Sequence, residues 1–424
     1  MSCLPFFLFF CFQDAAMLYF LLVIAVYYPH FLRFVIRNCY ICKKMRYMYI
    51  HETAEWPKFV WDKSLIDAKL MKVCKAAWFL EGRLSVIGFD MQQQATVEAL
   101  THDIVSSSEI EGVLLNPDQV RSSVARRMGV HITNETESSH YIEGVVEMML
   151  DAVNDFSKPL TDERLFGWHN CLFPTGRSGI DTINVGRYRV DPMDVISGGW
   201  GREKVHYRAP AAEILPSEMQ QFLDWFNSDD TPKNYIKSAI AHFWFVCIHP
   251  FDDGNGRISR AIADMALSQA DNSALRYFSI SRQINKEKKK YYDTLEKCQK
   301  GTCDITVWID WYLDCMLRSI ESADIMLSSI LNKAIFWQNH SQSIINDRQK
   351  NILNKYLDGY IGKLTIKRWS KLTKVSPDTA ARDVKYLVDI GILVPQEGKC
   401  RNVAYGIVIM NDLILHTGSA EEDD

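Results

Sequence analysis

The chain has 424 residues, 47% of them hydrophobic, and a formal net charge of −4. This length predicts two to four domains with ample apolar content for a core, and the mild acidity excludes any global attraction to nucleic acid, so such binding would have to be local. Eleven cysteines follow no repeating frame; Cys39 and Cys42 lack a second pair at zinc-like spacing, which argues against a zinc module and suggests a reducing compartment.

Residues 1–47 form a hydrophobic extension whose run from Ala15 to Tyr28 is unbroken and continues raggedly to Ile36, followed by Arg37, Lys43, Lys44 and Arg46. As a helix, residues 15–36 would be just long enough to cross a bilayer, and the basic flank would keep the rest in the cytoplasm. The competing reading is a misassigned start, with translation from Met45 or Met48. Helical periodicity covers residues 48–150, where Leu70, Val73, Ala77 and Leu80 recur at helix spacing. Within it, Ser107 and Glu111 lie four apart on one face, and Gly112 suits a helix C-terminus. A helix is predicted from Tyr141 to Val153, and another capped by Thr161 carries His169, which reads as a packed histidine.

Residues 184–210 break the helical period. Two short strands around a glycine turn are expected there, ending in Lys204, Val205, His206 and Tyr207. A largely apolar helix, Tyr235–Ile248, then delivers His249 and the stretch His-Pro-Phe-Asp-Asp-Gly-Asn-Gly-Arg-Ile-Ser-Arg. Its parts suit phosphoryl chemistry. Gly254 and Gly256 can take positive φ and let backbone N–H groups converge on an anion. A helix starting near Asn255 would add the positive end of its dipole. Arg257 and Arg260, three apart, can both face the same phosphates. Asp253 is placed to hold Mg²⁺, and His249 to take a proton from an attacking hydroxyl. Phe251 reads as a core anchor. Further on, Tyr291, Tyr292 and Gln299 lie on a helix, and Trp308–Leu331 completes the bundle. From about residue 347 to 416 a separate module is predicted: three helices, the third capped by Ser376 with Pro377 in its first turn, then a hairpin. That order suggests a winged helix. Lys374, Thr379, Arg382, Lys385, Lys399 and Arg401 give its third helix and wing a basic face suited to DNA, with a protein-interaction or dimerisation module as the alternative.

The 249–260 stretch matches the signature of the Fic family at every defined position, and residues 107–112 fit that family's inhibitory pattern. The resemblance covers most of residues 48–320, and Tyr49–Phe59 is similar to the amino-terminal opening of one Fic subfamily. It implies a mainly α fold: a Fic-type helical bundle with a β-hairpin flap, the catalytic core falling within residues 151–330. It further implies transfer of AMP from ATP to a Tyr, Thr or Ser hydroxyl of a target protein. His249 would be the base and Asp253 the metal ligand. Gly254, Asn255 and Gly256 would form the anion nest, with Ile258 and Ser259 beside the two arginine clamps. Lys204–Tyr207 would be the flap facing the nucleotide, unless this is an ordinary surface hairpin. Tyr291, Tyr292 and Gln299 would border the adenine, unless the tyrosines are core. Ser107, Glu111 and Gly112 would form a brake in which Glu111 pairs with Arg260. Gly256 fits AMP transfer, since relatives that phosphorylate carry Lys there. Removal of AMP, with Glu111 positioning a water, is a variant of the same site. The reading from another class is an ATP-sensing, DNA-binding regulator.

Overall fold

The structure is a computed structural model describing residues 48–85, 88–132, 135–198, 204–228, 234–357, 362–396, 403–409 and 412–414. The apolar run at 15–36 and the basic wing residues Lys399 and Arg401 lie outside these residues. Among the described residues no helix is long and apolar enough to cross a membrane. The chain is mainly α, as expected, and separates into two units.

The larger unit is a helical bundle: α1 (Lys63–Ser85), α2 (Phe89–Ile110), α3 (Pro117–Met128), α4 (His140–Asn154) and α5 (Asp162–Leu172), with α5 capped by Thr161. A two-residue hairpin follows, β1 (Arg177–Ser178) and β2 (Asp181–Thr182). It carries no hydrophobic alternation, so no strand was expected there. After the strands β3 (Asp194–Ser197) and β4 (Lys204–Arg208) come α6 (Leu215–Asn227), α7 (Tyr235–Ile248) and α8 (Asn255–Asp271). Every residue of α7 is buried, which is why its apolar character runs all round rather than along one stripe. It ends at His249 in the left-handed conformation, φ 51° and ψ 57°, because Pro250 disfavours helix at the residue before it. Helix α8 restarts six residues later, behind Gly254 at φ 84°, and packs along α7. Then follow α9 (Ile280–Lys286), α10 (Lys288–Gln299) and α11 (Thr306–Asn339).

The last elements are α12 (Asp347–Leu357), α13 (Ile366–Thr373), α14 (Pro377–Asp389) and an antiparallel sheet β5 (Leu393–Pro395), β6 (Tyr405–Ile409), β7 (Asp412–Ile414). Their core contains Ile352, Tyr356, Trp369, Leu387 and Leu393, and it also takes in Phe336 from the end of α11. Asp383 ties three helices together, accepting from Arg348 at 2.8 and 2.9 Å and from Trp369 Nε1 at 3.2 Å.

The smaller unit joins residues 48–60, 194–208 and 296–305. Strands β3 and β4 pair antiparallel with a bulge that leaves His206 between the Val195–Tyr207 and Ile196–Val205 pairs. Tyr207 is fully buried against Tyr49 and its hydroxyl meets His51 at 3.0 Å. Val60 is bridged to 303–305 by backbone bonds of 2.9 Å on either side.

Candidate active site

The turn from α7 to α8 is fixed by its own side chains. Asn255 Oδ1 accepts from the Phe251 N–H at 2.9 Å, and Asn255 Nδ2 donates to the Phe251 carbonyl at 2.8 Å, so one buried amide closes the loop in both directions. The Asn255 side chain is therefore committed to the turn; its contribution to an anion nest is its backbone N–H. With those of Gly256 and Arg257, that N–H belongs to the first helical turn, where no intrahelical acceptor exists. Phe251 is fully buried and stacks on His169 at 4.3 Å.

His169 does more than pack. Its Nδ1 accepts from the Gly186 N–H at 3.2 Å, which places the proton on Nε2, and Nε2 donates to the Asp253 carbonyl at 3.2 Å. Burial holds this imidazole neutral, pulling it down to about 4. Asp252 accepts from Asn184 N–H and Nδ2 at 2.7 and 2.9 Å. Asp253 Oδ1 accepts from Gly254 N–H at 2.6 Å, and Oδ2 accepts from the Ser178 hydroxyl on β1.

His249 is held by its backbone. The Arg189 guanidinium, 2% exposed, donates to the His249 carbonyl at 2.9 Å and to the Asp191 and Pro210 carbonyls. The ring Nδ1 donates to the Val246 carbonyl at 3.2 Å. A carbonyl can only accept, so the neutral ring carries its proton on Nδ1 and leaves the Nε2 lone pair available. Burial keeps the imidazole below its ordinary range, which favours that neutral base.

The two arginines have different surroundings. Arg257 Nη1 donates to the Tyr141 hydroxyl at 2.7 Å, its guanidinium lies 4.9 Å from the Phe173 ring, and its Nη2 sits 3.9 Å from Asp253. It lines a cavity of about 470 Å³ together with Glu111, Tyr141, Phe173, Ser178 and Asp253, within the size range of small-molecule sites. Arg260 is covered by α2: Nε donates to the Ser107 hydroxyl at 2.8 Å, and Nη2 donates to the Ser107 carbonyl at 2.8 Å and to Glu111 Oε1 at 2.7 Å. Gly112, at φ 81°, ends that helix. A methyl on Gly256 would overlap Glu111 Oε1 and stand 2.9 Å from its Cδ. The Glu111 carboxylate thus rests directly on the first turn of α8.

Ile258 and Ser259 are fully buried, Ser259 donating to the Gly256 carbonyl at 2.8 Å. Tyr291 is 2% exposed, its hydroxyl 2.9 Å from His242 Nε2 and its ring among Trp308 and Trp311. Tyr292 is open at 41% and donates to the Ile110 carbonyl at 3.5 Å. Lys204, Val205, His206, Tyr207 and Gln299 fall in the smaller unit. There Glu296 accepts from His206 Nδ1 at 2.5 Å and pairs with Lys204 at 3.5 Å, while Tyr207 and Gln299 are buried. The site roles of His169, Ser178, Arg189 and Tyr141 were not foreseen from sequence. Only His169 carried a signal, a polar residue beside Trp168 on a helix's buried face.

A family model described as the Fic/DOC family matches residues 159–267, which hold this loop, both arginines and His169. The chain carries a Fic/DOC domain. A second model, a domain of unknown function (DUF4172), matches residues 49–130 and so includes Ser107, Glu111 and Gly112. Over 234 residues the chain is 32% identical to the protein adenylyltransferase Fic of Drosophila virilis, covering 54% of this chain and 44% of that one. To the protein of the same name from Aedes aegypti it is 28% identical over 238 residues, 54% and 42% of the two chains. The chain thus matches less than half the length of these relatives. A solved Fic family protein from Desulfovibrio desulfuricans is 20% identical, with a TM-score of 0.46, over 81% of this chain and 96% of that one.

Proposed function

We propose that the protein is an adenylyltransferase that moves AMP from ATP to a Tyr, Thr or Ser hydroxyl of a target protein, and that Glu111 inhibits it in cis. The observation that carries the reading is the Glu111 carboxylate on Gly256 and Arg260: an anion-binding helix start already holds an anion from the chain itself. Phosphates would take the N–H groups of Asn255, Gly256 and Arg257 and the Arg257 guanidinium. Arg260 would join them once Glu111 has left. His249 Nε2 would accept the proton of the attacking hydroxyl as its oxygen bonds the α-phosphorus and pyrophosphate departs.

A Mg²⁺ ion fits the donor set. Asp253 offers a half-open carboxylate facing the cavity. Such an ion takes one carboxylate, phosphates and waters. Held there, it would neutralise charge on the leaving pyrophosphate. Thiols at Cys74, Cys171, Cys303 and Cys315 that form no disulfide favour a cytoplasmic setting.

The test is transfer of label from α-labelled ATP to protein by the chain from residue 48, compared with Glu111→Gly and Glu111→Gly/His249→Ala. Label that rises at least about tenfold in the first variant and falls by about 10²–10⁴ in the second supports the reading. No label from Glu111→Gly, with ATP still bound, rejects it.

The carboxy-terminal module favours a second activity. Residues 347–396 hold ten Lys and Arg against five Asp, inside a chain of net charge −4. Lys374 forms the turn between α13 and α14, and Arg382 and Lys385 lie exposed along α14. We infer that this winged-helix-like module binds DNA. A mobility shift by the whole chain that weakens steeply with salt, and is lost in Arg382→Ala/Lys385→Ala, is the expected result.

A further inference from the structure

A second cavity opens beside α2, and none of the residues of the candidate active site lines it. It measures about 60 Å³ and lies between α1, α2, α11 and the segment 277–286 that leads into α9. Its walls are mostly apolar: Leu80 and Leu84 of α1, Ala95 and Ala99 of α2, Phe278, and Leu327 of α11. Close-packed interiors seldom leave a void larger than one water, and this one is larger. With few polar partners on its walls it suits a short hydrocarbon chain better than water. At this size it does not admit a nucleotide.

The charges around it are unbalanced. Arg282 and Lys286 stand one turn apart on α9, and among the described residues no carboxylate pairs with either. Glu98, an acid in the lining, is already taken by Arg121 at 2.5 Å. His102 of α2 is held below its ordinary range by burial and by the nearby Arg282 and Lys286, so it adds no charge. An apolar cavity edged by two cations without acid partners is complementary to a fatty carboxylate, chain inside and head on the rim.

The cavity also touches the helix that carries Ser107 and Glu111. Helix α9 packs along α2, and Asn285 of α9 donates to Glu109 Oε2, in the last turn of α2, at 2.8 Å. An occupant would add to that grip, since it meets Ala95, Ala99 and His102 on α2 and Arg282 on α9 at once.

We propose that this cavity is a binding site for a short-chain fatty carboxylate, and that its occupancy holds α2 in its seat and strengthens the brake. A ligand that bridges α2 to α9 binds the seated helix better than a released one, and it shifts the balance by that difference. The effect on transfer rests on the reading of Glu111 as an inhibitor; the binding does not.

The experiment is calorimetric titration of the full chain with butanoate, pentanoate and hexanoate, and with hexylamine as a control of opposite charge. Affinity should rise about fourfold per methylene across the three acids, and hexylamine should not bind. Arg282→Ala/Lys286→Ala should weaken hexanoate at least about tenfold. Ala95→Leu fills the cavity while keeping both cations, and should abolish binding. In label transfer, hexanoate at about ten times its Kd should slow wild type up to about tenfold and leave the rate of Glu111→Gly where it was. No saturable binding of hexanoate, binding that survives either variant, or equal slowing of wild type and Glu111→Gly overturns the proposal. If Glu111→Gly itself transfers nothing, the adenylyltransferase reading fails, and the titrations still decide whether the site exists.

Discussion

The loop 249–256 and the helix end 103–112 meet on the same two turns of α8, yet they are held in opposite ways. The loop is closed by contacts four residues apart, Asn255 to Phe251, and by φ 84° at Gly254. The helix end is held to Arg260 by contacts about 150 residues apart in sequence, through a few polar atoms. Local closure gives a rigid site that survives changes elsewhere. Long-range polar closure gives a contact that a ligand can undo without unfolding anything. The difference suits a site that must stay formed while the proposed inhibitor comes and goes.

The largest effect should follow from breaking the local side. Asn255→Ala leaves a buried N–H and a buried carbonyl without partners, and should cost about 2–4 kcal/mol in unfolding free energy. Introduced into Glu111→Gly, it should remove most transfer, since the loop no longer presents the first turn of α8. Acid attacks the same loop from behind. His169 is held at about 4 in the folded state, so the unfolded chain binds a proton first as pH drops below the ordinary histidine value. Stability should fall by up to about 3 kcal/mol between pH 6.5 and 4, and His169→Gln should flatten that limb of a urea-midpoint profile.

Smaller effects lie on the inhibitory side. Gly256→Ala forces a methyl onto the Glu111 carboxylate. Its destabilisation should shrink by about 1–2 kcal/mol when Glu111 is replaced by Gly, and a double-mutant cycle measures that coupling. Ser107→Ala removes one of the bonds to Arg260 and should raise transfer only severalfold, about 1 kcal/mol of brake. Equal activation by Ser107→Ala and Glu111→Gly would contradict the idea that the carboxylate itself is the inhibitor.

The same contrast explains how much the sequence disclosed. The turn between α7 and α8 was legible because its determinants sit within one dodecamer, and so was the pairing of Glu111 with Arg260, through the family resemblance. The Asn255 side chain was not: its amide faces Phe251 rather than a ligand, a fact of loop geometry. Ser178, Arg189 and Tyr141 were invisible because their partners lie 60 to 116 residues away, and nothing in their own neighbourhoods marks them. The paired tyrosines keep their rings 5.0 Å apart on α10 while their hydroxyls take different partners, Tyr291 meeting His242 in the interior and Tyr292 the Ile110 carbonyl at the end of α2.

Helix α11 runs 34 residues, about 50 Å at the usual rise. Its beginning buries Trp308 against α7 and its end gives Phe336 to the core of α12–α14. A gene fragment opened at residue 347, the boundary suggested by the predicted helices, would leave that core without one of its aromatic rings and is expected to be insoluble. A cut upstream of Phe336 keeps the ring but severs a continuous rod. The natural place to divide this chain for separate expression is thus inside a helix, and pieces made there need a new N-cap designed into them.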